Sequence, residues 1–145
     1  MDINVAELVR HSGEIILIDS IIEVDDESLH AETTVRNDGL FNTGPEDVPS
    51  FIAVEYMAQS IAAWAGYRGR HEGKPANPGL LLGTRDFTAS IPMLPVGSTV
   101  QIQVNLVMEM ASGLAVFDAQ VSNDELTISS RLSVLTVFSL DDINL

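Results

Sequence analysis

The chain has 145 residues, 46% of them hydrophobic and 19% charged, a size and balance that suit a single domain spanning 1–145. Its 21 acids against seven bases give a formal net charge of −14, which argues against nucleic acid or an anionic membrane as partner. With no cysteine, disulfides and thiolate metal sites are excluded, and the three histidines are too scattered for a metal site.

The first residues, Met1 to Glu7, mix acids with apolar side chains and lack the basic start and apolar core of a secretory signal, so a cytoplasmic location is expected. Val5 to His11 reads as a short helical opening. Ile15 to Ile18 and Ile21-Ile22 form a β-branched apolar run, the pattern of a buried strand. Asp25 to Ser28 reads as a turn. Beyond it Leu29, Ala31, Thr33 and Val35 alternate with His30, Glu32, Thr34 and Arg36, which predicts a half-buried strand.

Asn37-Asp38-Gly39 and Asn42-Thr43-Gly44-Pro45 punctuate a loop that runs to Pro49. From Phe51 to Gly66 the only polar groups are Glu55, Gln59, Ser60 and the Tyr56 hydroxyl, so the spacing predicts a helix that is apolar nearly all round and enclosed by protein. An acid within it and a length of only about 24 Å argue against a membrane span. Four strand candidates follow: Gly79 to Ser90, Thr99 to Glu109, Leu114 to Val121 and Leu126 to Phe138, the last three joined by tight turns at Ser112-Gly113 and Asn123-Asp124. Two strands, one enclosed helix and four more strands predict an α+β fold, a long antiparallel sheet curled around a single helix.

Glu55 is the strongest candidate for chemistry, because a carboxyl among apolar neighbours must find a partner or give up its charge. Gln59, one turn later, is the nearest partner; an acid in a solvent-lined gap near the helix start is the plainer reading. Ser50 has the residue type and position of an N-cap, which would leave the amides of Phe51 and Ile52 to face a thioester carbonyl or developing enolate oxygen. His11 sits just ahead of the first apolar run, where a structural and a catalytic role are both open; His30 and His71 read as solvated. Arg68, Arg70, Lys74 and Arg85 concentrate four of the seven bases in one window with His71, which fits either a solvated turn or a local phosphate-docking patch.

Pro49 to Gln59, ending in Glu55-Tyr56-Met57-Ala58-Gln59, resembles the Pro-Gly-x-x-x-x-Glu-x-Met-Ala-Gln signature of FabZ/FabA-type 3-hydroxyacyl-[acyl carrier protein] dehydratases. His11, followed eight positions later by Asp19 across an apolar run, is similar to that family's His-Arg-x-Pro-Phe-Leu-Leu-Val-Asp segment, and Pro95-Val96-Gly97 is similar to its Pro-Gly-Asp turn. The resemblance covers residues 8 to about 138 and is strongest to the ApeP-like branch associated with aryl polyene biosynthesis.

What the resemblance implies is a hotdog fold and a dimer, homomeric or with another hotdog subunit, whose sites lie at the interface. It also implies no cofactor, and a substrate thioesterified to the phosphopantetheine of an acyl carrier protein. Two positions depart from the pattern. The catalytic histidine, fourteen residues before the helix acid, is replaced by Phe41, and the glycine whose amide serves the carbonyl is replaced by Ser50. The expected activity is therefore dehydration of carrier-bound polyketide or fatty acyl intermediates, with Glu55 as acid and His11 as the available imidazole base. Ser50, Phe51, Ile52, Gln59 and Phe41 are the expected substrate contacts, and Arg68, Arg70, Lys74 and Arg85 the expected carrier-docking cations. A non-catalytic partner subunit, and less so an acyl thioesterase, are the alternatives.

Overall fold

The structure is a computed structural model that describes residues 17–36, 47–71 and 79–136. His11, Phe41 and Lys74, and the opening helix expected at Val5 to His11, lie outside the described residues.

Eight strands and one helix make up the described chain: β1 (Ser20–Val24), β2 (Ser28–Thr34), β3 (Val48–Pro49), α1 (Ile52–His71), β4 (Gly79–Ala89), β5 (Met93–Leu94), β6 (Thr99–Glu109), β7 (Leu114–Ser122) and β8 (Thr127–Thr136). Six of them form one sheet in the order β1-β2-β6-β7-β8-β4, antiparallel throughout, and β3 pairs with β5 in a small second sheet. Helix α1 packs on β6, β2, β7, β4 and β8, so the sheet wraps one helix as expected of a hotdog.

Period-two alternation sets the faces. In β2 and the residue after it, Leu29, Ala31, Thr33 and Val35 all point inward and are fully buried; Val100, Ile102 and Val104 of β6 do the same opposite them. The alternation predicted for β6 stops short of its end: a register slip between Leu106 and Met108 leaves Val107 and Met108 both exposed. Leu17 and Ile18, predicted as strand, are buried but lie outside any strand, and Ile22 of β1 points to solvent.

Turn chemistry fixes the register of the hairpins. Gly113 adopts φ +97°, the left-handed conformation a side chain disfavours, and the Met110 and Leu114 backbones close the β6–β7 turn around it. Asn123 accepts the amides of Glu125 and Leu126 on its Oδ1, at 2.8 and 3.1 Å, turning β7 into β8.

Helix α1 begins as predicted but runs on through Gly66 to His71, so that Arg68 and Arg70 lie on the helix rather than in a turn. Two forces carry it past the glycine. Cations in the last turns suit the negative end of the helix dipole, and the Arg68 guanidinium stacks on Trp64, 5.0 Å from the ring centroid, while pairing with Glu109 at 2.7 Å. Trp64 in turn meets Phe117 of β7 edge-on, with centroids 5.1 Å apart, at the heart of the helix–sheet core.

Candidate active site

The start of α1 is tied down by the segment that follows β4. The Ser50 amide donates to the Pro92 carbonyl at 2.9 Å, and the Ser50 hydroxyl donates to the Ile91 carbonyl. This corrects the N-cap expectation: the hydroxyl is spent on a tertiary contact instead of on the first-turn amides. A tight turn opens the helix, with the Ala53 and Val54 amides reaching the Ser50 and Phe51 carbonyls at 3.0 Å, and the Ile52 amide has no intrahelical acceptor.

Beside this helix start lies a groove of about 380 Å³ lined by Ser50, Phe51, Phe87, Ala89, Ser90, Ile91 and Pro92. Its walls are two exposed aromatics, Phe51 at 54% and Phe87 at 38%. Phe87 gains its place from an irregularity in β4, where Asp86 has φ +55° and the pairing with β8 slips between Arg85 and Thr88. Sequence reading missed Phe87, since a bulge in an edge strand leaves no periodic signal.

Glu55 stands one turn into the helix and is half-buried, not enclosed as its apolar neighbours in sequence suggested. Helical geometry explains the difference: Val54 and Glu55 fall on the less covered side, while Tyr56 and Met57 point into the core. The pairing predicted with Gln59 is present. Gln59 Nε2 donates to Glu55 Oε1 at 3.3 Å, and Gln59 Oε1 accepts the Leu17 amide at 2.8 Å. Gln59 is only 1% exposed, so its amide is fully enclosed between those partners.

Asp19, eight positions beyond His11, closes a neighbouring cluster. It accepts the Thr34 amide at 2.7 Å and pairs with Arg36 at 2.6 Å, and Thr33 Oγ1 is 3.2 Å away. Partial burial penalises the charge, but the hydrogen bonds from the Thr34 amide and Arg36 outweigh it and hold the carboxyl below its ordinary value of 3.8. A depressed folded value means stability that is present above the unfolded pKa and lost as pH falls through the folded one. Asp19→Asn should therefore cost about 1 kcal/mol at neutral pH, a modest figure because the pair is partly solvated, with the gap to wild type closing in acid. Denaturant melts at neutral pH and in acid measure it.

The other expected residues are dispersed. Ile52 is buried, Arg68 is engaged with Glu109 and Trp64, Arg70 is exposed near the helix end, and Arg85 lies on edge strand β4, its carbonyl accepting from Ser130 Oγ. His30 is on the outer sheet face, Nε2 2.6 Å from Gln101 Oε1. Among the described residues no group of His, Cys, Asp or Glu could hold a metal ion, and no helix is long and apolar enough to cross a membrane.

A long antiparallel sheet wrapped on one helix defines the hotdog fold. The chain belongs to the ApeP-like family, described as ApeP dehydratase, whose family model matches residues 3–144. Among solved structures it is similar to the dehydratase heterocomplex ApeI:P from Xenorhabdus doucetiae, with a TM-score of 0.86 and 25% identity, over 99% of this chain and 96% of that one. Two more distant matches share the fold alone. One is smu.793 from Streptococcus mutans bound to acetyl CoA, with a TM-score of 0.64 and 13% identity, over 90% of this chain and 98% of that one. The other is a mutant of a hypothetical thioesterase from Streptococcus pneumoniae, with a TM-score of 0.62 and 14% identity, over 87% of this chain and all of that one. Comparison with curated proteins gives no match.

Proposed function

We propose that the chain dehydrates 3-hydroxyacyl groups, of the aryl polyene, polyketide or fatty acyl kind, held as thioesters on the phosphopantetheine of an acyl carrier protein. It does so as a subunit of a hotdog dimer, with a different hotdog chain as partner. The observation that carries this reading is the Glu55–Gln59 pair one turn into α1, a carboxyl whose orientation is fixed by a fully buried amide.

Elimination requires a base to take the Cα proton, a double bond to form between Cα and Cβ, and a proton for the hydroxyl as the Cβ–O bond breaks and water leaves. Glu55 supplies the proton to the hydroxyl. The amides of the first turn, at Phe51 and Ile52, stabilise charge developing on the thioester oxygen. The base is an imidazole, from His11 or from the partner chain, because the FabZ/FabA-type pattern that the chain resembles has its histidine at the position that Phe41 holds here. Membership of a dehydratase family and likeness to a dehydratase heterocomplex support the reaction class and the unlike partner.

A second reading, a partner subunit without its own chemistry, is favoured by the phenylalanine at position 41. Enoyl formation from a 3-hydroxyacyl carrier-protein thioester separates the two, measured with the chain alone and with its hotdog partner. Turnover lost in both Glu55→Gln and His11→Ala supports a catalytic subunit; turnover that needs the partner and ignores Glu55→Gln supports the accessory role.

Carrier docking is assigned to Arg68, Arg70, Lys74 and Arg85, four bases close together in the sequence of an acidic chain. Arg70→Glu reverses the charge at an exposed position near the end of α1. It should raise KM for the carrier-bound substrate several-fold and leave kcat alone; an unchanged KM removes the docking assignment.

A further inference from the structure

Thr33 is a fully buried polar residue next to the end of β2, on the inward face with Leu29, Ala31 and Val35. Burying a hydroxyl among apolar neighbours costs free energy unless it is spent on a hydrogen bond. Its hydroxyl donates to the Leu17 carbonyl and also stands 3.2 Å from Asp19 Oδ2.

Leu17 is thus held at both ends of its backbone: the carbonyl by Thr33 and the amide by Gln59 Oε1. That second bond decides which way the Gln59 amide faces. With its oxygen on the Leu17 N–H, its NH2 must face Glu55; turned over, two oxygens would confront each other there and the Leu17 amide would lose its acceptor. Leu17 lies outside any strand, so the β-ladder does not fix its backbone.

From this path we infer that Thr33 is a positioning residue for the reaction at Glu55, acting through the Leu17 backbone and the Gln59 amide. The inference rests on the dehydratase reading proposed above. Removing the Thr33 hydroxyl frees the Leu17 carbonyl, lets the segment shift, and loosens the donor that orients the Glu55 carboxyl.

The test uses the chain assembled with its hotdog partner and a 3-hydroxyacyl carrier-protein thioester. Thr33→Val keeps the shape and deletes the hydroxyl, Thr33→Ser restores it, and Glu55→Gln reports on the underlying chemistry. Thr33→Val should lower kcat by about tenfold to a hundredfold, the range for misplacing a reacting group, with KM nearly unchanged. Thr33→Ser should recover most of the loss. Because Thr33→Val also removes a buried hydrogen bond, kcat is referred to the folded fraction measured by circular dichroism. If Thr33→Val proves too unstable, Thr33→Cys, which keeps the size and replaces the hydroxyl by a weak donor, should give the same split.

Wild-type kcat in folded Thr33→Val, with Glu55→Gln inactive, overturns the positioning role alone. Full activity in Glu55→Gln instead overturns the dehydratase reading beneath it.

Discussion

Glu55→Gln is expected to reduce enoyl formation by about 10²- to 10⁴-fold, the usual worth of a positioned acid–base group, while leaving the melting temperature almost unchanged. Both halves follow from the geometry. The amide is isosteric with the carboxyl, and its carbonyl oxygen can still accept from Gln59 Nε2, so the local packing survives. Glu55 is half-buried, so exchanging it does not strand a charge in the core. What disappears is the exchangeable carboxyl proton. A large loss of kcat without a change in stability separates chemistry from folding, which a truncation to alanine would confuse.

Phe117→Ala should have the largest effect on stability, about 3–5 kcal/mol, or roughly 6–20 °C in melting temperature for a domain of this size. The ring is fully buried in β7 and meets Trp64 of α1 at an interplanar angle of 76°. Truncation removes that contact and leaves a cavity between helix and sheet, which the antiparallel ladders on either side, to β6 and to β8, prevent from collapsing. Trp64 is the chain's single tryptophan, so its fluorescence reports the loss of packing together with the thermal melt. A shift of under 1 kcal/mol would mean that the helix is held mainly elsewhere.

These residues also show which parts of the protein are legible in sequence. β2 and most of β6 were readable because each buries one face, and burial imposes a period of two on the residue types. The start of α1 was readable because an apolar run follows Pro49-Ser50 directly. Its end was not: Gly66 and the bases after it carry a stop signal, yet the Arg68 stack on Trp64 and its pair with Glu109 extend the helix.

The candidate site was legible in residue type more than in contact. Glu55 and Gln59 are one helical turn apart, and local geometry alone predicts that they meet. Ser50 departs from its local capping preference because its hydroxyl donates to a tertiary acceptor, the Ile91 carbonyl. Thr33 went unmarked as a polar contact because its partner is a backbone carbonyl sixteen residues away, and backbone atoms leave no trace in residue identity. Phe87 reaches the groove only through the left-handed turn at Asp86.

The most direct test of the account is the mass of the carrier-bound acyl group after incubation of the 3-hydroxyacyl thioester with the chain and its hotdog partner. Dehydration predicts the loss of one water with the thioester intact, abolished when the chain carries Glu55→Gln. Release of free carrier thiol and a 3-hydroxy acid, or the same water loss with Glu55→Gln as with wild type, would contradict it.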